Sequence, residues 1–213
     1  NYSVSSSKGE LLQARHQNKR ALQKKVGLPL SHRPLLTSIT RLASQKGPEL
    51  ILEAMRRATE LDMQYILIGS HTPENLSAEF EKLKGHPNIY MELSFNEPLA
   101  RLCYSACDAI VIPSHFEPCG LTQIIAMRYG CVPIVRSTGG LKDTVIPCKT
   151  GFTFEEPTAQ AMSKMLQLVN RCYSEEPTQW QQLISNGMNL PFGWHQSAQK
   201  YLEVYERSWL TSS

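Results

Sequence analysis

The chain alternates short, continuously apolar segments with longer amphipathic segments whose apolar positions recur every three to four residues. The apolar segments have the length of buried strands, and Gly and Pro punctuate the boundaries between segments. The predicted strands span residues 34–40, 64–69, 88–93, 109–112, 132–135 and 151–154. The predicted helices span residues 10–26, 49–61, 73–83, 97–107, 120–129, 138–144, 158–173, 178–186 and 194–209.

This alternation predicts an α/β fold in which a Rossmann-like parallel sheet carries helices on both faces. Strands that are apolar on both sides are typical of such sheets, because helices cover both of their faces. Ligands of these sheets bind beyond the carboxyl ends of the strands. We therefore expect the functional residues in the loops that follow the strands, at residues 41–47, 69–72, 94–96, 113–120 and 136–140.

Composition and charge argue against two classes of partner. The chain has 213 residues, and its 22 basic and 19 acidic side chains give a net charge of +3. No apolar run reaches membrane-spanning length, and no signal peptide is evident. Because one concentrated basic stretch fits the solvated face of the first helix, we predict neither a nucleic-acid nor a membrane partner. The basic residues of this stretch are Arg15, Lys19, Arg20, Lys24 and Lys25.

Cysteine usage points to a reducing compartment. None of the six cysteines has the Cys-x2-Cys spacing of a zinc site, and several lie in apolar segments. We expect buried thiols and not disulfides. The six residues are Cys103, Cys107, Cys119, Cys131, Cys148 and Cys172.

The loop after the fourth predicted strand carries the most distinctive chemistry. Its Pro/Gly turn leads directly into a predicted helix, whose first N–H groups and dipole attract anions. Glu117 lies in this corner, just before Gly120. A carboxylate here indicates either a functional group or an ordinary helix cap, and the local sequence does not separate the two.

Other loops at the same predicted edge hold complementary groups. Arg41 and Lys46 follow the first strand, where they would neutralise a diphosphate unless they are simply surface cations. A Gly-Gly helix start follows the fifth strand at residues 138–140. Phe95 follows the third strand, where it would stack on a nucleobase or lie in the core. The motifs of dinucleotide-binding folds and P-loops are absent, and loop histidines such as His71 and His115 are more often surface groups.

Residues 116–123 form the run Phe-Glu-Pro-Cys-Gly-Leu-Thr-Gln. This run closely resembles the signature of bacterial glycogen synthases and plant starch synthases, and residues 126–130 and 137–145 continue the match. Residues 40–47 resemble the upstream motif of the family, and residues 192–201 resemble its C-terminal helix. These motifs agree in order and spacing over roughly residues 10–207.

The resemblance implies a retaining glycosyltransferase of the two-lobe GT-B type. Such an enzyme moves glucose from ADP-glucose to the non-reducing end of an α-1,4-glucan, with no metal or other cofactor. Glu117 would be catalytic, close to the transferred glucose. The donor diphosphate would lie against Arg41, Lys46 and the backbone of Gly120, Leu121 and Thr122. The nucleobase and sugar would contact Phe95, Cys119, Thr138, Gly139 and Gly140.

Two departures refine the resemblance. Ile125 stands where many other GT-B enzymes have a second glutamate, which favours the glycogen and starch synthase group. The Lys-x-Gly-Gly-Leu motif of the family's N-terminal lobe does not occur in this sequence, so we expect only the C-terminal lobe. The alternative is a non-catalytic nucleotide- or glucan-binding regulatory lobe of the same fold.

The resemblance also implies a domain organisation, partners and a location. We expect a linker at residues 1–9, a nucleotide-sugar-binding lobe at 10–190, and a helix at 191–213 that packs on the N-terminal lobe. The apolar surface of that helix would be poorly covered in this chain alone. The predicted partners are ADP-glucose or ADP, the glucan acceptor and the N-terminal lobe. The location would be the plastid in a plant, or the cytoplasm in a bacterium.

Overall fold

The computed structural model describes residues 8–70 and 72–211, and it confirms an α/β fold. Most of the predicted linker at residues 1–9 lies outside this part of the chain, as does His71, whereas Lys8 and Gly9 already belong to the first helix. The helices are α1 (Lys8–Val26), α2 (Pro48–Glu60), α3 (Glu74–Leu83), α4 (Glu97–Ala106), α5 (Thr122–Arg128), α6 (Gly139–Thr144), α7 (Ala159–Glu175), α8 (Pro177–Met188) and α9 (Trp194–Thr211). The strands are β1 (Leu35–Arg41), β2 (Gln64–Ser70), β3 (Ile89–Glu92), β4 (Ala109–Ile112), β5 (Val132–Arg136) and β6 (Phe152–Phe154).

The six strands form one parallel sheet with the order β3-β2-β1-β4-β5-β6. Chain order reverses between β1 and β4, whose register pairs Leu36 with Ala109. A reversal of this kind opens a crevice at the carboxyl ends of the two strands. The loops that follow β1 and β4 therefore lie on opposite sides of this crevice, and these are the loops that carry Lys46 and Glu117.

Both faces of the sheet are covered, because successive side chains of each strand point to opposite sides. Tyr65 and Leu67 of β2 belong to the core shared with α2, α7 and α8. Ile66 and Ile68, which alternate with them, belong to a second core that includes residues of α1 and α4. The near-continuous apolar sequence of the strands follows from this double burial.

The basic stretch of α1 differs from the prediction of a solvated face. Arg15 and Lys19 are buried, while Arg20, Lys24 and Lys25 are exposed. The Arg15 guanidinium donates 2.6 Å hydrogen bonds to the carbonyl oxygens of Cys107 and Tyr129. These two residues cap the C-termini of α4 and α5, where carbonyl groups lack helical partners and favour a cation. The prediction was wrong for Arg15 because two helix ends meet against it, and wrong for Lys19 because that ammonium pairs with the buried Asp108.

All six cysteines are free thiols, and four of them are buried. Burial raises the pKa of the Cys107 and Cys131 thiols well above the usual range, so both stay neutral. Cys119 and Cys148 are exposed, so the prediction of buried thiols holds only for the other four.

The last helix, α9, leaves its apolar side chains uncovered. Residues 191–209 are all exposed, with Trp194 83% and Trp209 80% accessible to solvent. This exposure agrees with the surface expected from the sequence, whereas the surface against which α9 packs remains a prediction. Within residues 8–70 and 72–211, no helix is long and apolar enough to cross a bilayer.

Candidate functional site

Glu117 lies at the crevice, where it pairs with a lysine from the neighbouring loop. The residue is only 8% exposed. Its Oε2 atom is 2.5 Å from Lys46 Nζ and accepts a 3.1 Å hydrogen bond from Ser114 Oγ. Lys46 and Glu117 are 71 positions apart in sequence, and the sheet reversal brings them together. The carboxylate is therefore a partner of the opposite loop and does not cap α5.

The loops after β1 and β4 touch along their backbones. A short 3-10 helix at Ser44–Lys46 turns the first loop, and its carbonyl at Gln45 accepts a 2.8 Å hydrogen bond from His115 N–H. Gly47 follows with φ +66°, and a Cβ there would lie 2.6 Å from the Pro113 carbonyl oxygen. Glycine is required at this position by both the close approach and the backbone angle. These contacts hold Lys46 beside Glu117.

The β4–α5 turn presents backbone donors. Gly120 has φ +72°, which turns the chain toward the first residue of α5, Thr122. In the described part of the chain, the N–H groups of Gly120 and Leu121 have neither a backbone nor a side-chain acceptor. Unpaired N–H groups at the start of a helix favour an anion. The arrangement can therefore receive a phosphate oxygen.

The Gly-Gly start of α6 packs directly on the β4–α5 loop. A Cβ on Gly139 would lie 2.1 Å from the Glu117 carbonyl oxygen, and one on Gly140 would lie 2.0 Å from the Cys119 carbonyl oxygen. The Gly140 N–H donates a 2.9 Å hydrogen bond to the Glu117 carbonyl. Thr138 precedes them at the N-cap position of α6, without a side-chain cap. The structure thus brings together residues 138–140 and Glu117, as the sequence predicted, and shows that the two glycines are needed for close packing.

Arg41 and Phe95 lie around a cavity, called the hollow below, next to the crevice at the carboxyl ends of the strands. Both residues line a cavity of about 200 Å³ beyond the carboxyl ends of β1 and β2, together with Asn96. Phe95 is 84% exposed, so the alternative that placed it in the core is wrong. Arg41 is also exposed and makes no side-chain bond among the described residues. An aromatic ring and a guanidinium are therefore both accessible at this hollow.

Residues 19–186 match the model of the glycosyl transferases group 1 family. The chain belongs to this family. The match covers the sheet from the middle of α1 to α8, including the crevice and the loops described above.

Curated proteins are similar to this chain in sequence. It is 43% identical over 201 residues to a glycogen synthase of Protochlamydia amoebophila, covering 88% of this chain and 40% of that protein. It is 42% identical over 212 residues to the probable starch synthase 4, chloroplastic/amyloplastic, of Arabidopsis thaliana, covering 92% of this chain and 20% of that protein.

A solved structure agrees with these sequence similarities. It is the catalytic domain of starch synthase IV from Arabidopsis thaliana bound to ADP and acarbose, which matches with a TM-score of 0.87 at 39% identity. The match covers 98% of this chain and 44% of that one. The resemblance to glycogen and starch synthases and the GT-B lobe are thereby confirmed. The chain spans less than half the length of these relatives.

The sequence analysis assigned no individual role to Gln123 or Arg136, which the structure places at this edge. Gln123 is fully buried beneath the β4–α5 turn, and its amide bonds two carbonyls of that turn. Arg136, at the end of β5, donates a 2.8 Å hydrogen bond to the His115 carbonyl, and His115 itself pairs with Glu49. Their position after a strand or at a helix start was a usable signal, but their bonding partners lie in distant segments.

Metal ligands were not predicted at this edge. In the described residues, no group of three or more His, Cys, Asp or Glu side chains is arranged to hold a metal ion.

Proposed function

We propose that the chain is the donor-binding lobe of an enzyme that transfers glucose from ADP-glucose to the non-reducing end of an α-1,4-glucan. One observation carries this proposal: the Lys46–Glu117 pair lies at the crevice beside Gly120, where the Gly120 and Leu121 N–H groups have no acceptor within residues 8–70 and 72–211. The similarity to a starch synthase domain whose structure contains ADP supports ADP as the nucleotide.

The donor diphosphate would bind between the cations and the start of α5. Lys46 and Arg41 follow β1, and the backbone N–H groups of Gly120, Leu121 and Thr122 lie in the β4–α5 turn on the other side of the crevice. Positive charge and fixed N–H dipoles would stabilise the negative charge that develops on the departing diphosphate. These groups would therefore act most strongly as the glycosidic bond to the donor breaks.

The two ends of the donor would occupy the two sides of this diphosphate position. Adenine would stack on the exposed ring of Phe95, at the 200 Å³ hollow that it shares with Arg41. The glucose would lie toward the start of α6, beside Thr138 and the backbone of the two glycines, which pack against the Glu117 loop. The residues proposed for these contacts are Phe95, Cys119, Thr138, Gly139 and Gly140.

Glu117 would be the catalytic residue. Its carboxylate is held at a defined place by Lys46 and Ser114, which is the preorganisation that catalysis needs. From there it would orient the glucose hydroxyl groups or stabilise the positive charge on the sugar in the transition state. The reaction would retain the anomeric configuration of the donor, as the GT-B resemblance implies.

An N-terminal lobe and a glucan would complete the enzyme. The curated relatives are more than twice as long as this chain, which supports a second lobe. The uncovered apolar side chains of α9, including Trp194 and Trp209, would pack on that lobe. Relatives with plastid and bacterial names support two locations for this activity, the plastid in a plant and the cytoplasm in a bacterium.

The test is glucose transfer by this chain joined to the N-terminal lobe of a glycogen synthase. We expect transfer from ADP-glucose to maltoheptaose with an α-configured product, measured with labelled donor and by the anomeric NMR signal. The same fusion with Glu117→Gln is the matched control and should lose transfer.

The competing function is a regulatory lobe that binds nucleotide without catalysis. An intact Lys46–Glu117 pair favours the enzyme, since a regulatory lobe has no use for a preorganised carboxylate. Tight ADP binding by the fusion without any transfer would establish the regulatory lobe and refute the catalytic proposal.

A further inference from the structure

Gln123 lies on the first turn of α5 and is fully buried between the β4–α5 turn and α6. Its side-chain nitrogen Nε2 donates to the carbonyl oxygens of Cys119 at 3.2 Å and Gly120 at 2.9 Å. We propose that Gln123 is a positioning residue that orients the phosphate-binding N–H groups of this turn. The inference rests on the proposed function, because it assigns those groups to the donor diphosphate.

The planarity of the peptide bond carries the argument. In a trans peptide the carbonyl and the N–H of the next residue point in opposite directions. Fixing the Cys119 carbonyl on the Gln123 amide therefore turns the Gly120 N–H away from the protein interior. Fixing the Gly120 carbonyl does the same for the Leu121 N–H. These two N–H groups have no acceptor among the described residues, so Gln123 sets the direction of the free donors.

The same amide reaches the Gly-Gly helix. Gln123 Nε2 is 3.0 Å from Thr144 Oγ1, and that hydroxyl donates a 2.5 Å hydrogen bond to the Gly140 carbonyl. One chain of hydrogen bonds thus links the phosphate-binding turn to α6. Displacement of either segment would move the other, because the backbone of residues 139 and 140 is in close contact with the carbonyl groups of the loop.

The orientation of the amide is determined by its surroundings. All three partners of Nε2 present an oxygen atom, and one of them, the Thr144 hydroxyl, already uses its proton. A flipped amide would place oxygen against oxygen. Among the described residues, Gln123 Oε1 is buried without a hydrogen-bond partner. This costs free energy, which the bonds made by the nitrogen offset. The NH2 group therefore carries the bonding of Gln123, directly beneath Gly120, where an added Cβ would lie 3.0 Å from Nε2.

The experiment compares Gln123→Met with Gln23→Met in the 213-residue chain. Gln23 is a matched control: it is equally buried, donates two hydrogen bonds and also has an unpartnered Oε1, but it lies beside Ser31, before β1. Both variants should lower the melting temperature. Gln123→Met should weaken ADP binding about 10-fold in calorimetry, whereas Gln23→Met should leave the ADP dissociation constant within about 2-fold.

Thr144 supplies the second arm if Gln123→Met does not fold. Thr144→Val removes the hydroxyl that links Gln123 to Gly140, and Thr144→Ser restores it. We expect the valine variant to bind ADP about 3-fold more weakly than the serine variant. Equal ADP affinity within each pair, in a chain that binds ADP, would overturn the positioning role. Failure of the unaltered chain to bind ADP would instead refute the proposed function.

Discussion

One lysine–carboxylate pair lies at the amino ends of the strands, here called the amino edge, and another lies at their carboxyl ends, the carboxyl edge. The differences between the two pairs indicate that the first has a structural role and the second a functional one. Lys19 pairs with Asp108 at 2.6 Å on the amino edge, and Lys46 pairs with Glu117 at 2.5 Å on the carboxyl edge. Both carboxylates have the same side-chain exposure, 11%, but the Lys19 side chain is 5% exposed and that of Lys46 is 18% exposed.

The amino-edge pair is saturated by the protein. Lys19 also donates to the Arg33 carbonyl and the Tyr173 hydroxyl, and Asp108 Oδ2 also accepts a hydrogen bond from the Leu35 N–H. Within the described residues, the Lys46 side chain bonds only Glu117. A saturated pair ties α1, β1 and α7 together, whereas a pair with spare donors at a crevice can take part in binding.

The largest expected effect is on stability, at the amino edge. Asp108→Ala leaves the Lys19 ammonium buried without a counter-ion, which should cost about 3–5 kcal/mol of unfolding free energy. Glu117→Gln should cost less, because Gln keeps a hydrogen-bonding group beside Lys46 and the Lys46 side chain is more exposed than that of Lys19. Urea unfolding of both variants measures the contrast, and equal losses would remove the distinction between the edges.

The next effect is on catalysis, at the carboxyl edge. In the chain joined to an N-terminal lobe, Glu117→Gln should lower the turnover number by about 100-fold or more, since a preorganised charge is lost. The ADP dissociation constant should change far less. Steady-state kinetics and calorimetry measure the two quantities, and a matching loss in both would make Glu117 a binding residue only.

The close packing of α6 on the β4–α5 loop gives a third prediction. Gly140→Ala places a methyl group 2.0 Å from the Cys119 carbonyl oxygen, so the loop must move. We expect a loss of about 2 kcal/mol in unfolding free energy and weaker ADP binding. Gly9→Ala is the control, because a Cβ there meets nothing within 4 Å. A neutral Gly140→Ala would show that the approach of the two loops is not needed.

The smallest expected effect is the pH dependence of stability that two buried thiols at the amino edge produce. The raised pKa of Cys107 and Cys131 means that the folded state keeps both thiols neutral while the unfolded state ionises near pH 8.5. Their contribution to stability is therefore full below that pH and is lost as pH rises. Between pH 7 and pH 9, the ionisation of each thiol in the unfolded state should lower the unfolding free energy by roughly 0.8 kcal/mol. In urea unfolding, the double variant Cys107→Ala, Cys131→Ala should lose less unfolding free energy between pH 7 and pH 9 than the unaltered chain. An equal loss in both would contradict the raised pKa of the two thiols.

The sequence predicted the elements and the edge of the sheet that carries the site. Apolar runs such as 109–112 and the Pro/Gly turn before Thr122 are local signals, and strand alternation placed Glu117 and Lys46 at one edge. It did not predict that the two residues form a pair, because that contact depends on the strand order between β1 and β4.

The contacts of Arg15 and Gln123 could not be predicted from local sequence patterns either, because they depend on how separate segments pack. Arg15 has the sequence surroundings of a solvated cation, and its burial depends on where the C-termini of α4 and α5 meet. Gln123 belongs to the 116–123 signature, but its own contacts are visible only in the structure, where it bonds the carbonyls of Cys119 and Gly120.

The central claim is that a nucleotide donor binds at the carboxyl edge of the sheet. Titration with ADP of the unaltered chain and of the variants Arg41→Ala and Arg20→Ala tests it most directly. Both arginines are exposed, but only Arg41 lines the hollow at the carboxyl edge. We predict that the chain binds one ADP, that Arg41→Ala weakens binding about 10-fold, and that Arg20→Ala leaves it unchanged. No ADP binding, or equal losses in the two variants, would contradict a donor site at this edge of the sheet.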